Sequence, residues 1–338
     1  MVEEPLVSII TSAYNREEFI GETIKSVLSQ TYRNWEWIIV DDGSTDDTKK
    51  IIMSFSEPRI KYYWQNHTGI DGLCDIHNKA FKLSKGEYIA ILDSDDLWPD
   101  YKLEHQVKSL KKDNVALSYG ECCLIDPKGR VIGYSKIPEE KAVAENFPIG
   151  SSLKEFFLKA NSFIFNPTVL IKKSALNEIG GFIKFEGLAH DFTTWSTLAM
   201  KFRFKPLYKC LGYWRRHINS IVFHHATYRF LNKLKFIETK VKESAINLPG
   251  FNFTEEEILN ANKNRFNEYM RNFSYDRSML LLSLQMFKEA ENEFSNYLEN
   301  NKNLKNYFIQ KLFHASVKLN YDLVNPLRRF KEKLIKFK

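Results

Sequence analysis

Apolar and polar positions follow two alternating rhythms over the first hundred residues. A β-branched run over residues 7–11 follows Pro5, and Ile20, Ile24, Val27 and Leu28 then recur at helical spacing, which predicts strand, loop and helix. A second apolar run over 35–40 is closed by Asp41 and Asp42 and leads through the segment GSTDD. The next helix is predicted to begin near Thr45 or Asp46, whose side chains suit an N-cap. Residues 60–64, 73–83 and 88–92 read as strand, helix and strand, the last ending in Asp93, Asp95 and Asp96. Strands alternating with helices at this spacing predict an α/β, Rossmann-like domain with a mainly parallel central sheet and helices on both faces. Ligands of such sheets bind outside the carboxyl ends of the strands.

From Leu97 the pattern loosens. A helix is predicted over 103–110, a strand over 116–119, a Pro/Gly turn at DPKGR, then a polar stretch to Gly150. Loops here are expected to recognise the acceptor, since loops carry specificity on such scaffolds. Residues 163–171 suggest a strand, followed by a helix and a tight turn at Gly180 and Gly181. Phe192, Trp195, Leu198 and Ala199 then mark a helix with Asp191 at its mouth.

After YWRRHINS the composition shifts to Asn, Lys, Glu and Phe. The expected organisation is a domain over 1–224 and a mostly helical C-terminal extension over 225–338. Phe287, Ala290, Phe294 and Tyr297 form one apolar stripe. Leu327, Phe330, Leu334 and Phe337 form another, beside Arg328, Arg329, Lys331, Lys333, Lys336 and Lys338. This basic amphipathic end has two readings: peripheral contact with an anionic membrane, at about 1 kcal/mol per cation near the surface, or packing on its own domain.

The net charge of +7 over 338 residues is modest; it suits an anionic substrate or membrane surface and argues against nucleic acid. Cys74, Cys122, Cys123 and Cys210 lack zinc-type spacing, and a disulfide framework is not expected, which fits a reducing cytoplasm. The start MVEEPLVSII has no signal-peptide character, and no apolar run approaches the roughly 20 residues that span a bilayer. The expected location is cytoplasmic, with any membrane contact peripheral, and a homo-oligomer is neither required nor excluded.

The acids of EYIAILDSDDLWPD carry the chemistry. Carboxylates clustered at the end of a buried strand repel one another unless something compensates them. Mn²⁺ or Mg²⁺ is the first candidate, because hard cations take one or two carboxylates and leave positions for a substrate's phosphates. Asp41 and Asp42 have two readings, hydrogen-bond acceptors for a nucleoside or partners of turn amides. For Asp191 a helix N-cap is the plainer role, worth about 1 kcal/mol.

Six segments occur in one order: VSIITSAYN, VDDGSTDDT, GLCDIHNKAF, GEYIAILDSDDLWPD, GGFIKFEGLAHDFTTW and YWRRHINS. Together they resemble the family-2 inverting glycosyltransferases of GT-A fold that build bacterial surface polysaccharides. The resemblance covers the first two thirds of the chain and has no counterpart in the last third. It implies that Thr11, Ala13, Tyr14, Asp41, Asp42, Asn78, Asp93, Ser94 and Arg216 bind the nucleotide sugar, that Asp95 and His217 hold the metal, and that Asp191 is the catalytic base. It implies a nucleotide-sugar donor, UDP-linked, and a glycan or lipid-linked acceptor. The sequence departs from the family at His190, where a carboxylate ordinarily precedes the base; an imidazole there changes charge and pH response. His67, His77, His105, His224 and His225 are expected to be surface or packing residues.

A nucleotidyltransferase or dinucleotide-dependent oxidoreductase is disfavoured, since TSAYNREEF offers no Gly-rich phosphate loop after the first strand. A catalytically inactive nucleotide-sugar-binding or scaffold subunit of a synthase complex is the other reading.

Overall fold

A computed structural model describes residues 4–110, 115–137, 148–160, 163–185, 190–217, 221–243, 247–283, 286–300, 304–319 and 324. The first half follows the expected βα order. Strands β1 (Val7–Ala13), β2 (Trp35–Asp41), β3 (Ile60–Trp64) and β4 (Tyr88–Ile91) alternate with helices α1 (Ile20–Leu28), α2 (Thr48–Ser54) and α3 (Leu73–Leu83). The helix expected at Thr45 or Asp46 begins two to three residues later, because Asp46 caps from within the loop: its carboxylate accepts the Glu17 and Thr48 amides at 3.0 Å.

The eight-stranded sheet runs β3-β2-β1-β4-β7-β5-β6, with β8 also paired to β5. β1, β2, β3 and β4 are mutually parallel, with Ala13 opposite Asp41 at the carboxyl end. Strand β7 (Leu170–Lys172) is antiparallel to both β4 and β5 (Val115–Ile125). The strand expected over 163–171 is thus shortened; Pro167 lies in a 3₁₀ turn over Asn166–Thr168 and has no N–H for a ladder. Strand β6 (Val131–Ser135) is antiparallel to β5, and β8 (Arg203–Arg215) is parallel to it.

Alternation along the central strands places helices on both faces. Val7, Ile9, Trp37, Ile39, Tyr88 and Ala90 enter one core with α1 and with α4 (Lys102–Leu110). Ile10, Ile38, Val40, Ile89 and Ile91 enter the other with α3 and α6 (His190–Ala199). Trimming one of these buried isoleucines to alanine costs about 2–5 kcal/mol. The connection out of β7 is α5 (Lys173–Glu178), and Gly180 and Gly181 follow with φ of 84° and 97°. A Cβ on Gly181 would come within 2.6 Å of Asn78 Oδ1.

The chain divides into two compact units, residues 1–215 with 219–262, and residues 216–218 with 263–338. Helix α7 (Ile221–Glu243) runs through the expected boundary at 224/225 and belongs to the first unit, where Phe236, Ile237 and Val241 are buried. A two-stranded hairpin, β9 (Asn247–Leu248) with β10 (Phe251–Asn252), follows α7. Helix α8 (Glu255–Ser283) leads into the second unit, which contains α9 (Phe287–Asn300) and α10 (Leu304–Leu319). The stripe on α9 is real: Phe287, Ala290 and Phe294 are buried, and Phe294 stacks on Phe313 of α10 at 4.7 Å. The basic stripe over 327–338 lies outside the described residues. Among the described residues no helix is long and apolar enough to cross a membrane. All four cysteines are free.

Candidate active site

The order β2-β1-β4 makes β1 the point where successive strands turn to opposite sides, and the crevice beyond its carboxyl end is where such sheets bind ligands. Ala13, Asp41, Asp42 and Asp93 all lie at that edge.

Asp41 and Asp42, at the end of β2, are buried and committed to the protein. Asp41 accepts the Ser44 amide and the Tyr62 hydroxyl, each at 2.7 Å, and burial, reinforced by the bond to Asp41, pushes the Tyr62 phenol well up. Asp42 accepts from Gln65 Nε2 at 2.9 Å, the Thr68 amide at 3.0 Å, the Thr68 hydroxyl at 2.9 Å and the Gly69 amide at 3.2 Å. His67 Nδ1 lies 3.0 Å from the same carboxylate, and the imidazole stacks on Tyr14 at 3.9 Å. Tyr14 is 39% exposed. Thr11 sits deeper: its buried hydroxyl donates to Leu92 O and accepts the Trp37 indole N–H at 2.8 Å. Ala13 is buried, and its carbonyl accepts the Asp42 amide.

The turn after β4 is under electrostatic tension. Burial pushes the Asp93 carboxyl up to about 7, with the Asp95 charge adding to it and the Asp191 charge contributing further; the Asn166 amide, 3.2 Å away, opposes this. Burial, then Asp95 and Asp93, push Asp96 well up too, and its Oδ2 has no hydrogen-bond partner. Ser94 is buried, and its carbonyl accepts the Thr23 hydroxyl of α1 at 3.2 Å. Asp95 pairs with Arg16 at 3.2 Å. Beneath the turn Arg215 is wholly buried: its amide donates to Asp96 Oδ1, its Nε to the Asp95 carbonyl, and its Nη2 to Glu22, at 2.8, 2.8 and 2.6 Å. Arg215 therefore holds the turn's backbone from inside. Arg216 and His217 fall in the second unit; burial draws the Arg216 guanidinium down to about 10, and His217 is buried.

Asp191 stands in the first turn of α6 and accepts the Phe192 amide at 2.8 Å. Asp191 is therefore a residue of the first turn rather than the N-cap that the sequence suggests, since His190 before it is already helical. Arg229 of α7 lies 3.5 Å from its Oδ1. His190 faces inward, its ring tilted by 35° against that of His77 with the centroids 3.9 Å apart, and edge-on to Phe182 and Trp195. Burial, then His77 and Arg229, push the His190 imidazole well down; burial pulls His77 down to about 4. The residue before Asp191 is thus a neutral buried ring where the family has a second negative charge. His77 packs as expected, on α3, though with His190 as its partner. Asn78, one residue on, gives its amide to the turn before α6: Nδ2 donates to the Phe182 carbonyl, and Oδ1 accepts the Phe182 amide, each at 2.8 Å. Its polar atoms hold that turn in place.

The structure therefore brings Asp93, Asp95 and Asp191 within electrostatic reach, with Arg16, Asn166, Arg229 and Lys233 among their partners. None of these four partners was singled out in the sequence. Arg16 carried a faint signal, a cation on the same β1 loop as Tyr14. Among the described residues no three His, Cys, Asp or Glu side chains form a ready metal cage. The hard, crowded pair Asp93 and Asp95 nonetheless fits an ion that takes few protein ligands and shares its shell with phosphate oxygens.

A parallel βα half-sheet with acids at its switch point, continued by antiparallel strands and added helices, defines an α/β fold of the GT-A type. Residues 8–180 match the model of Glycosyl transferase family 2, and the chain belongs to that family. The chain is 38% identical over 44% of its length to the Escherichia coli "UDP-Glc:alpha-D-GlcNAc-diphosphoundecaprenol beta-1,3-glucosyltransferase WfgD", and spans 59% of that protein. It is 33% identical over 64% of its length to the "Putative teichuronic acid biosynthesis glycosyltransferase TuaG" of Bacillus subtilis, spanning 82% of it. In fold it is similar to S. aureus TarS 1-349 in complex with UDP-GlcNAc, with a TM-score of 0.58 at 19% identity over 96% of this chain and 92% of that one.

Proposed function

We propose that this chain is an inverting, metal-dependent glycosyltransferase that moves a hexose from a UDP-sugar to a hydroxyl of a sugar linked through diphosphate to a lipid, in bacterial surface-polysaccharide synthesis. The observation that carries the reading is the acidic turn at the carboxyl end of β4, beside the switch point of the sheet, where Asp95 meets Arg16 of the β1 loop at 3.2 Å and Asp93 accepts the Asn166 amide at 3.2 Å. The named activity of WfgD supports the choice of donor and acceptor.

Asp191 accepts the proton of the acceptor hydroxyl as that oxygen bonds to the anomeric carbon. The bond from that carbon to the diphosphate oxygen breaks, and its electron pair leaves with UDP. Attack from the face opposite the diphosphate inverts the centre. Asp95 and Asp93 are the residues that would hold Mn²⁺ or Mg²⁺, which when bound neutralises charge on the departing diphosphate. Tyr14, braced on His67, offers a ring for the base to stack on, while Asp41 and Asp42 hold the surrounding loop in shape. The enzyme works from the cytoplasm, peripheral to the membrane that carries the acceptor.

The test is UDP release from UDP-glucose by the purified full-length protein, with and without Mn²⁺, and with and without a short-chain lipid-diphosphate GlcNAc. Release that requires both additions, with a β-linked product by NMR, is the expected result. Binding of nucleotide sugars with no acceptor-stimulated release from any of them would instead assign the chain to the scaffold class.

A further inference from the structure

Arg16 lies against a carboxylate that the transferase reading gives to the metal, and it has no part in the chemistry described so far. Its Nε is 3.2 Å from Asp95 Oδ2, and the two side chains are 17% and 15% exposed. The N–H is not aligned on the carboxylate, because that nitrogen makes no hydrogen bond. Charge rather than a directed bond joins the pair. The same positive charge acts on Asp93, where it pulls against burial and Asp95, which push that carboxyl up to about 7.

A divalent cation at Asp95 has to contend with this guanidinium, since two positive charges on one carboxylate repel. The Asp95 backbone is held: its carbonyl accepts Arg215 Nε at 2.8 Å, and the next amide, that of Asp96, donates to the Asp93 carbonyl at 3.1 Å. The Arg16 backbone is fixed as well. Its amide donates to Thr48 Oγ1 at 2.7 Å, and its carbonyl accepts the Phe19 and Ile20 amides at 3.0 and 2.9 Å. Asn15 before it, at φ 49°, is tied to the Ser44 hydroxyl and the Thr45 amide, each at 2.9 Å. What can move is the guanidinium at the end of its aliphatic stem. Its Nη1 donates to the Tyr14 and Asn15 carbonyls at 2.9 and 3.0 Å, within its own loop. Arg16 thus touches both the residue offered to the base and a residue offered to the metal, the two ends that a nucleoside diphosphate must join.

We infer that Arg16 is a binding residue for the diphosphate of the nucleotide sugar, and that its guanidinium stands on Asp95 until the nucleotide arrives. It then turns to the phosphate oxygens, which it meets through two parallel N–H donors, and Asp95 takes the divalent cation in its place. The acids keep a cation beside them in both states. The inference rests on the transferase reading above and deepens it: cation and nucleotide bind as a pair, each weakly without the other, and by reciprocity each strengthens the other by one common factor.

The experiment titrates Mn²⁺ into the purified full-length protein and reads free Mn²⁺ by electron paramagnetic resonance, with and without UDP, corrected for Mn²⁺ held by UDP in solution. UDP binding in EDTA is measured separately by calorimetry. Wild type, Arg16→Gln and Arg16→Lys are compared, with folding checked by circular-dichroism melting. The wild type is expected to bind Mn²⁺ about thirtyfold tighter with UDP than without it. In Arg16→Gln, Mn²⁺ alone is expected to bind about fivefold tighter and UDP in EDTA about fivefold weaker. Opposite signs of this kind do not come from a loosened loop. Arg16→Lys keeps the charge but gives up the paired donors, so it should leave Mn²⁺ alone unchanged and weaken UDP about threefold, which keeps the test open if Arg16→Gln does not fold. Mn²⁺ binding alone that is unchanged or weaker in Arg16→Gln would mean that the guanidinium only braces its loop, and would overturn the exchange. Unchanged UDP affinity in EDTA would overturn it too. Failure of the transferase reading looks different: the wild type then binds no UDP even with Mn²⁺ present.

Discussion

The carboxyl ends of β2 and β4 flank β1 and are both acidic, yet they are compensated in opposite ways. At β2 the protein provides the donors, Ser44 from the loop that follows, Tyr62 from β3, and Gln65, Thr68 and Gly69 from the loop after β3, all bonded to Asp41 or Asp42. At β4 the acids press on each other: Asp93 and Asp96 have their proton affinities raised, by burial first and by neighbouring carboxylates next. Arg16 and the Asn166 amide oppose this only in part. The contrast teaches that an acidic strand end is not by itself a ligand site. Donors from the protein turn one cluster into architecture, while self-repulsion leaves the other suited to a cation and a polyphosphate.

The largest effects should come from the β4 side and the helix facing it. Asp191→Asn removes the proposed proton acceptor and Asp95→Ala the carboxylate proposed to hold the metal; each is expected to lower acceptor-dependent UDP release by about a thousandfold. Circular dichroism should show the same fold. A variant retaining wild-type turnover would break the role assigned to that residue. The Asp95 half sharpens further by calorimetry: Mn²⁺ with UDP should raise the melting temperature of the wild type and leave that of Asp95→Ala where it was.

Stability should separate the two strand ends by sign. Asp42→Ala strips the Thr68 and Gly69 amides of their acceptor and is expected to cost about 2–3 kcal/mol. Asp93→Asn keeps an oxygen for the Asn166 amide while removing repulsion with Asp95 and Asp191, and should add about 1 kcal/mol in metal-free buffer. Urea denaturation of both variants measures the difference. Two changes of the same sign would remove the distinction between the clusters.

Much of this was legible before any coordinates. The period-2 and period-3.6 runs placed β1 to β4 and α1 to α4 within a few residues, because each element buries a face whose spacing is local. Asp93, Asp95 and Asp191 stood out through motif order. Partnership was not legible. Asn78 reaching Phe182, Arg16 reaching Asp95 and His77 lying on His190 each join residues far apart in the chain, and spacing carries no record of them. β8 was hidden by Pro206 and the lysines around it, which an edge position parallel to β5 tolerates. Helix α7 was assigned to the extension on composition, whereas burial of Phe236 and Ile237 ties it to the α6 core and sets Arg229 beside Asp191.

An effect that vanishes at neutral pH concerns the histidine that departs from the family pattern, and it extends the comparison to a third site, one made of bases. In the folded chain burial holds both His77 and His190 neutral, His77 down to about 4, while in the unfolded chain each takes up a proton near 6.5. The unfolded state therefore binds more protons as the pH drops from about 6.5 toward 4. The stability linked to the pair is complete above 6.5 and is lost below it, with a slope of at most about 3 kcal/mol per pH unit for two protons. His190→Phe removes one of these protons and replaces a ring whose two nitrogens have no hydrogen-bond partner with an apolar one already surrounded by Phe182 and Trp195. The variant should match the wild type within about 1 kcal/mol at pH 8 and exceed it by about 1–2 kcal/mol at pH 5. Taking the difference between the two proteins cancels the opposite contribution of Asp93 and Asp96, whose raised affinities favour the fold at low pH. Parallel stability curves from pH 8 to pH 5 would mean that His190 is protonated in the fold, and that the charge before Asp191 is positive rather than absent.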